Sequence, residues 1–214
     1  MTDLLSDPRV NDLLLARPAE IATLADYFRR AAEESISTAT GLRAAQHDGI
    51  WHGEAAEAFR HAIGRMPGRL DSLHAGFRDA GAALSAYEAA LNRIQAAFGQ
   101  VIGAIQSWSA ELGPARAAAD TARIDLRQLL NRPGIRSSVI LAAIQDVERA
   151  EGRLGDITDV VGRLHRSAWA LLDEFEHQRT ACRSQIAVAR QLAPAPPLEV
   201  RLRAPTASDL APST

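Results

Sequence analysis

An apolar seam through the middle of the chain limits what the chain can fold into. Between residues 59 and 112, apolar side chains recur at alternating steps of four and three residues without a slip. Strands place apolar residues at a step of two, whereas helices that pack in a coiled coil use this alternating spacing. The sequence therefore predicts a long helix packed against other helices, with a seam formed by Phe59, Ile63, Met66, Leu70, Leu73, Phe77, Ala80, Leu84, Tyr87, Leu91, Ile94, Phe98, Val101, Ile105, Trp108 and Leu112.

A second seam of the same spacing occupies the C-terminal third, from Ile140 to Ala189. Cys182 falls on this seam, so the single cysteine is predicted to be a small core residue. The residues "NRPGIRSS", 131 to 138, form a turn with a serine cap and separate the two long helices. From Pro194 the chain is rich in proline and small polar residues, which predicts a disordered tail.

Two prolines lie along the first seam or its continuation. Pro67 does not shift the phase of the seam, so it is predicted to kink the helix rather than end it. Gly113-Pro114 leaves two architectures open, because the same phase continues beyond it through Leu126 and Leu129. If the helix continues, the packed helices form a rod. If the chain reverses there, the same segments form a shorter four-helix bundle.

Shorter helices are predicted before the seams. Asp7-Pro8 offers an N-cap and a first-turn proline to a helix over residues 8 to 15, whose "LLL" run needs a partner surface. A second amphipathic helix starts at "RPAE" and ends near residue 45. Its predicted apolar face contains Ile21, Leu24, Phe28, Ala31 or Ala32, Ile36, Ala39 and Leu42.

Composition supports the same fold class. About a fifth of the residues are alanine, and the β-branched and aromatic residues that favour strands are sparse. We expect an all-α protein: an elongated antiparallel helical bundle or coiled coil with a disordered C-terminal tail. The expected segments of this one domain are an N-terminal arm over 1–16, a helical hairpin with a long second helix over 17–131, and a long coiled-coil helix over 132–192 that packs on it. The tail covers 193–214.

The charge balance narrows the possible partners. All 24 basic residues are arginine, and with 26 acidic residues they leave a net charge of −2. This balance lacks the basic footprint of a nucleic-acid-binding protein. No apolar run is long enough to span a membrane, and the N-terminus lacks the pattern of a cleaved signal peptide. We therefore expect no nucleic-acid partner and no integral membrane segment.

Motifs that carry chemistry are missing from the sequence. It contains no Gly-rich phosphate loop, no Gly-x-Ser-x-Gly elbow, no Cys-x-x-Cys and no His-Glu-x-x-His. His47, Asp48 and His52 are the nearest approach to a metal site, but their spacing does not place three ligands on one helical face. Adjacent carboxylates such as Asp173-Glu174 diverge on a helix. The sequence predicts a non-enzymatic protein with no catalytic residue, no cofactor and no metal.

The stretch "DGIWHGEAAEAF", residues 48 to 59, carries a Trp-x-Gly turn between two amphipathic helices. It resembles the WXG helical-hairpin proteins of type VII (ESX-type) secretion, and more closely the WXG-like N-terminal domains of type VII-associated polymorphic toxins. The resemblance extends over residues 17 to about 110. It implies pairing with a small helical WXG-type protein or with itself as an oligomer, and recognition by the secretion ATPase. Trp51, Gly53 and Phe59 are the candidate partner-binding residues.

The same turn has a structural role on physical grounds. Gly53 can adopt backbone angles closed to other residues and so start the second helix close to the first. Trp51 is expected to cap the end of the hairpin with a large apolar side chain. Glu54 and Glu57 favour the positive end of the second helix.

The export signal of the family is Tyr-x-x-x-Asp/Glu on a helix after the hairpin, and this sequence departs from it. The residue four positions after each tyrosine is apolar: Ala31 follows Tyr27, and Leu91 follows Tyr87. Trp169 and Asp173 have the required spacing with a different aromatic residue, so they are the candidate export signal. Alternatively, the signal resides on a partner.

Two functions follow from these features. The first is a type VII secretion-associated protein that acts by helical pairing as a secreted substrate, leader module or helper of a toxin. It would be secreted or displayed at the cell surface without a cleaved signal peptide. The alternative is a cytoplasmic coiled-coil scaffold or adaptor in which the Trp-x-Gly turn is coincidental. Dependence on a secretion locus distinguishes the two.

Overall fold

The computed structural model describes residues 4–47 and 52–192, and every regular element in these ranges is helical. A 3-10 turn at Leu4–Ser6 precedes five α-helices: α1 (Pro8–Leu15), α2 (Pro18–His47), α3 (Glu54–Ile63), α4 (Met66–Leu130) and α5 (Ser137–Leu192). The all-α helical bundle expected from the two seams is therefore confirmed. The segment predicted to be a tail, 193–214, lies outside the described ranges.

The chain packs as two compact units. Among the described residues, unit 1 consists of 4–22 and 85–182, and unit 2 consists of 23–47, 52–84 and 183–192. Unit 1 thus contains α1, the first turn of α2 and large parts of α4 and α5. Unit 2 contains the rest of α2, all of α3, the first part of α4 and the last turns of α5.

Helix α4 resolves the alternatives at Gly113-Pro114. It runs without interruption from Met66 to Leu130 with Pro114 inside it, so the chain does not reverse there. Seam residues are buried on both sides of the proline, among them Phe98 before it and Ala115 and Ala119 after it. Pro114 itself is exposed, so its ring points away from the packed face.

At Pro67 the predicted kink is wrong, because the helix ends there instead. Helix α3 stops at Ile63 and α4 starts at Met66, which places Pro67 in the first turn of α4. The first backbone N–H groups of a helix have no intrahelical partner, so a proline costs no hydrogen bond at this position. The spacing of the seam did not reveal the break: Met66, the predicted seam residue after it, is 49% exposed, and the neighbouring Pro67 is buried instead.

The core of unit 1 lies where the N-terminal arm meets the two long helices. Its aromatic centre is Phe98 of α4 and Phe175 of α5, both almost fully buried. The apolar run of α1 that required a partner surface packs into this core through Leu13, which is completely buried. The full set of buried core residues is Leu4, Val10, Leu13, Leu91, Ile94, Phe98, Ala168, Leu172 and Phe175.

The packed face of α2 in unit 2 consists of small side chains. Ala25, Ala32 and Ala39 are buried, whereas Leu24 and Ile36, both predicted for this face, remain 46% and 37% exposed. A Cβ atom added to Gly81 of α4 would lie 3.3 Å from the backbone oxygen of Ala25, so the two helices approach closely. Close approach favours small residues at the contact, which explains why the larger side chains lie at its margin.

Candidate interaction site

The Trp-x-Gly turn is described only from His52 onward, so Trp51 and its predicted capping role lie outside the described residues. Gly53 is the N-cap of α3, with φ of 107° and ψ of 177°. This backbone region is essentially restricted to glycine. The Gly53 carbonyl accepts hydrogen bonds from the backbone N–H groups of Ala56 (3.0 Å) and Glu57 (3.1 Å), which open the helix. The backbone conformation at the start of α3 therefore requires glycine.

Phe59 lies on α3 beside the packed face rather than in it. Its side chain is 40% exposed, while Ala56 and Ile63 of the same helix are buried. The first seam therefore does not begin at Phe59 as a core residue. Its accessible ring remains a candidate contact for a partner.

Two polar contacts hold the hairpin of unit 2 closed near this turn. The Arg43 guanidinium of α2 pairs with the Asp71 carboxylate of α4. The Gln46 side-chain amide donates to the backbone oxygen of Ile63 at 3.1 Å, at the point where α3 ends. Further along, His74 of α4 lies with Nδ1 3.0 Å from the backbone oxygen of Ala32. These contacts hold together the end of the hairpin at which Gly53 lies.

Trp169 and Asp173 are brought together on α5 by a residue of the N-terminal arm. The Arg9 guanidinium donates to the Asp173 carboxylate at 2.7 Å, and its carbon lies 5.5 Å from the centroid of the Trp169 ring. A guanidinium at this distance over an indole makes a favourable cation–π contact. The Asp173 side chain is nevertheless 73% exposed, so its carboxylate remains accessible to solvent beside the contact with Arg9. We call Arg9, Trp169 and Asp173 the arm cluster.

Asp7 orients Arg9 within the arm cluster. Its side chain accepts from the backbone N–H of Arg9 at 2.8 Å, which makes it the N-cap of α1, as the sequence predicted. The same carboxylate accepts from the Arg9 guanidinium at 3.0 Å. These two hydrogen bonds, the side-chain one first, lower the pKa of Asp7. Arg9 therefore remains charged and fixed between two carboxylates.

A second set of contacts ties α1 to α4 and α5 independently of the arm cluster. Arg179 of α5 donates to the Asp12 carboxylate at 2.8 Å. The Gln95 amide of α4 donates to the backbone oxygens of Leu13 (2.8 Å) and Ala16 (2.9 Å), which lie at the end of α1. Carbonyls at a helix end have no intrahelical partner, so Gln95 satisfies groups that would otherwise be left open.

The sequence identified Trp169 and Asp173 but did not identify Arg9 as the residue that contacts both. The spacing of four residues places Trp169 and Asp173 on one helical face, which a sequence reveals. Arg9 and Asp173 are 164 residues apart, so their pairing is a tertiary contact without a local signal. The only hint was the apolar run of α1, which required a surface to pack on.

Other candidate chemistry is located as follows. Of the possible metal ligands, Asp48 and the side chain of His47 are outside the described set, and His52 is exposed. Among the described residues, no group of three His, Cys, Asp or Glu side chains is placed to hold a metal ion. Cys182 is buried on the second seam, as predicted, and burial raises the pKa of its thiol. No helix within the described ranges is long and apolar enough to cross a membrane.

A comparison with protein families matches residues 3–197 to the family described as "Putative T7SS secretion signal domain", where T7SS denotes the type VII secretion system. No curated protein and no solved structure matches the chain. The family match covers the arm, the hairpin and both long helices, so it extends well beyond the Trp-x-Gly turn. It confirms the expected link to type VII secretion and names neither a WXG hairpin nor a toxin. The chain therefore belongs to the type VII secretion signal domain family.

Proposed function

We propose that this chain is a non-enzymatic, WXG-like signal module that directs export through type VII secretion. It acts as a secreted substrate, or as the leader module or helper of a toxin, and reaches the medium or cell surface without a cleaved signal peptide. Its partners are a small helical WXG-type protein or a second copy of itself, and the secretion ATPase. The observation that carries the proposal is the family match over residues 3–197.

The arm cluster supports a recognition role for Trp169 and Asp173. The two side chains lie one helical turn apart, with a half-buried ring and an exposed carboxylate. Arg9 contacts both, so the pair is held in one orientation only when the N-terminal arm is docked. Such a signal would be recognised only in the folded protein, because Arg9 lies in α1 whereas Trp169 and Asp173 lie in α5.

The test of the signal compares substitutions in an export assay. Trp169→Ala and Asp173→Asn are expressed beside the unchanged chain, and each protein is quantified in culture supernatant and in cells. A lost charge-assisted contact corresponds to about a tenfold change in binding, so we expect export to fall by about that factor. Circular dichroism and thermal unfolding of the purified variants show whether each remains folded.

Asp12→Asn is the matched control for this test. It removes the other arm contact to α5, the ion pair with Arg179, but leaves Trp169 and Asp173 unchanged. Export at the unchanged level with Asp12→Asn, and reduced export with the other two variants, supports recognition of the pair. Equal loss in all three variants would mean that docking of the arm alone matters, and full export of Asp173→Asn contradicts the proposed signal.

A further inference from the structure

Unit 2 contains an apolar groove between three helices. Its volume is about 230 Å³, and Arg190 is the one charged residue among the described residues that line it. Phe28 and Phe77 form its aromatic wall, with ring centroids 5.9 Å apart. The apolar lining comes from α2, α4 and α5 and consists of Phe28, Gly76, Phe77, Ala80, Ile186 and Ala189.

Exposed apolar surface continues from the groove onto α2. Tyr27 is 60% exposed and meets Phe28 edge-on, with ring centroids 5.8 Å apart. Tyrosine is enriched in protein interfaces, because its ring supplies apolar contact area while its hydroxyl remains able to bond with polar groups. The three aromatic side chains therefore form a row that begins inside the groove and ends in solvent.

The unbalanced charge beside the groove is positive. Arg190 forms no ion pair with any residue in the described ranges. Charged residues that flank the aromatic wall in sequence are paired with each other: Asp26 with Arg29, and Arg78 with Asp79. The last ten residues of α5, "RSQIAVARQL", contain two arginines and no acid. A carboxylate from outside the chain would neutralise this end of α5.

We infer that the groove receives an amphipathic helix of a partner protein, which inserts a large apolar side chain and places an acidic residue against Arg190. A cavity of about 150 Å³ admits a benzene molecule, so the groove has room for a phenylalanine or leucine side chain. An acid three or four residues away lies on the same helical face and reaches the guanidinium. This inference deepens the helical pairing proposed above and rests on it for the helical nature of the partner.

The test measures binding of two designed helical peptides to the full chain by fluorescence anisotropy. Both peptides carry the same leucine face, flanked by glutamates in one and by lysines in the other. We expect the chain to bind the glutamate peptide more tightly. Ile186→Arg and Arg190→Glu should each weaken that binding by about tenfold, and Arg190→Glu should now prefer the lysine peptide.

Arg116→Glu is the matched control. Arg116 is an exposed arginine of α4 in unit 1, and its replacement changes the net charge by the same amount as Arg190→Glu. Its binding should equal that of the unchanged chain. Circular dichroism of Ile186→Arg confirms that the helices persist. Equal affinity for the two peptides, or no binding of either, overturns the inference.

The groove could instead be filled by residues 193–214 or by a second copy of the chain. Each of these would give a different binding result and would overturn the inference. If residues 193–214 fill the groove, a chain ending at residue 192 binds the glutamate peptide more tightly, and a peptide of 193–214 competes. If a second copy fills it, the chain sediments as a dimer that Ile186→Arg dissociates. Export assays of the same variants separate the two proposals. If neither peptide binds but the chain is still exported in an ATPase-dependent way, only the proposed groove interaction is refuted. If export of the chain does not depend on the secretion ATPase, the proposed function is refuted.

Discussion

Gly53 determines how α3 begins. Its φ of 107° and ψ of 177° belong to a region essentially restricted to glycine, and no atom of the described residues beyond its chain neighbours lies within 4 Å of an added Cβ. The cost of Gly53→Ala is therefore a backbone cost, which we expect to lower the free energy of unfolding by about 1–3 kcal/mol. Urea denaturation followed by circular dichroism measures it.

Gly99→Ala is the control for this residue, with the opposite expected sign. Gly99 lies exposed within α4, and a Cβ added there would also meet no atom of the described part of the chain within 4 Å, its own helix backbone and neighbours aside. Alanine is the better helix former there, so the free energy of unfolding should rise by about 0.5–1 kcal/mol. A Gly53→Ala variant as stable as the unchanged chain would show that the start of α3 tolerates other conformations.

At the scale of single residues, sequence reasoning succeeded where the signal is local. The turn glycine, the Asp7 N-cap and the position of Cys182 on the seam each depend on neighbouring residues, and the structure confirms them. The role of Arg9, in contrast, could not be predicted from the sequence. Its contact with Trp169 and Asp173 depends on how α1 docks, and no spacing in the sequence encodes that docking.

Helix α4 continues through an internal proline because its packed face stabilises the helix on both sides of Pro114. Pro114 lacks the N–H that would bond to the carbonyl of Ala110, and its ring crowds that carbonyl. The helix continues nevertheless, with Ala115 and Ala119 buried beyond it. Replacing Pro114 with alanine should raise the free energy of unfolding, by up to about 3 kcal/mol, measured by urea denaturation.

Pro8→Ala is the matched control for α4. Pro8 is the first residue of α1 and is exposed, so its missing N–H breaks no helical hydrogen bond. Alanine at this position increases the conformational entropy of the unfolded chain, so the free energy of unfolding should fall by less than about 1 kcal/mol. If Pro114→Ala also destabilises the protein, then Pro114 contributes packing that outweighs its helix penalty, and the predicted gain in stability is wrong.

At the scale of elements, the two seams predicted the long helices because a repeat of four and three persists through many turns. Helix ends were harder to predict. The spacing of the seam continues across the break before Met66 in the sequence, yet in the structure Met66 is exposed and Pro67 is buried in its place. The face of α2 was shifted for another reason: close helix contact selects alanines, while a hydrophobicity pattern selects Leu24 and Ile36.

At the scale of the whole molecule, composition and periodicity were sufficient for the all-α class, and the Trp-x-Gly turn pointed to type VII secretion. The family match over residues 3–197 supports that link through the whole helical assembly rather than through the turn alone. The apolar groove of unit 2 was not predictable, because residues far apart in sequence, such as Phe28 and Ile186, form it together.

Export of this chain by type VII secretion is measured by its location in cells with and without the secretion ATPase. The tagged chain and a cytoplasmic marker protein are quantified in supernatant and cell lysate of both strains. We predict that the chain is present in the supernatant of the intact strain and is retained in cells when the ATPase is disrupted, while the marker stays in the lysate of both. Equal amounts of the chain in the two supernatants, or retention in both strains while other type VII substrates are exported, would contradict the claim and favour an intracellular scaffold.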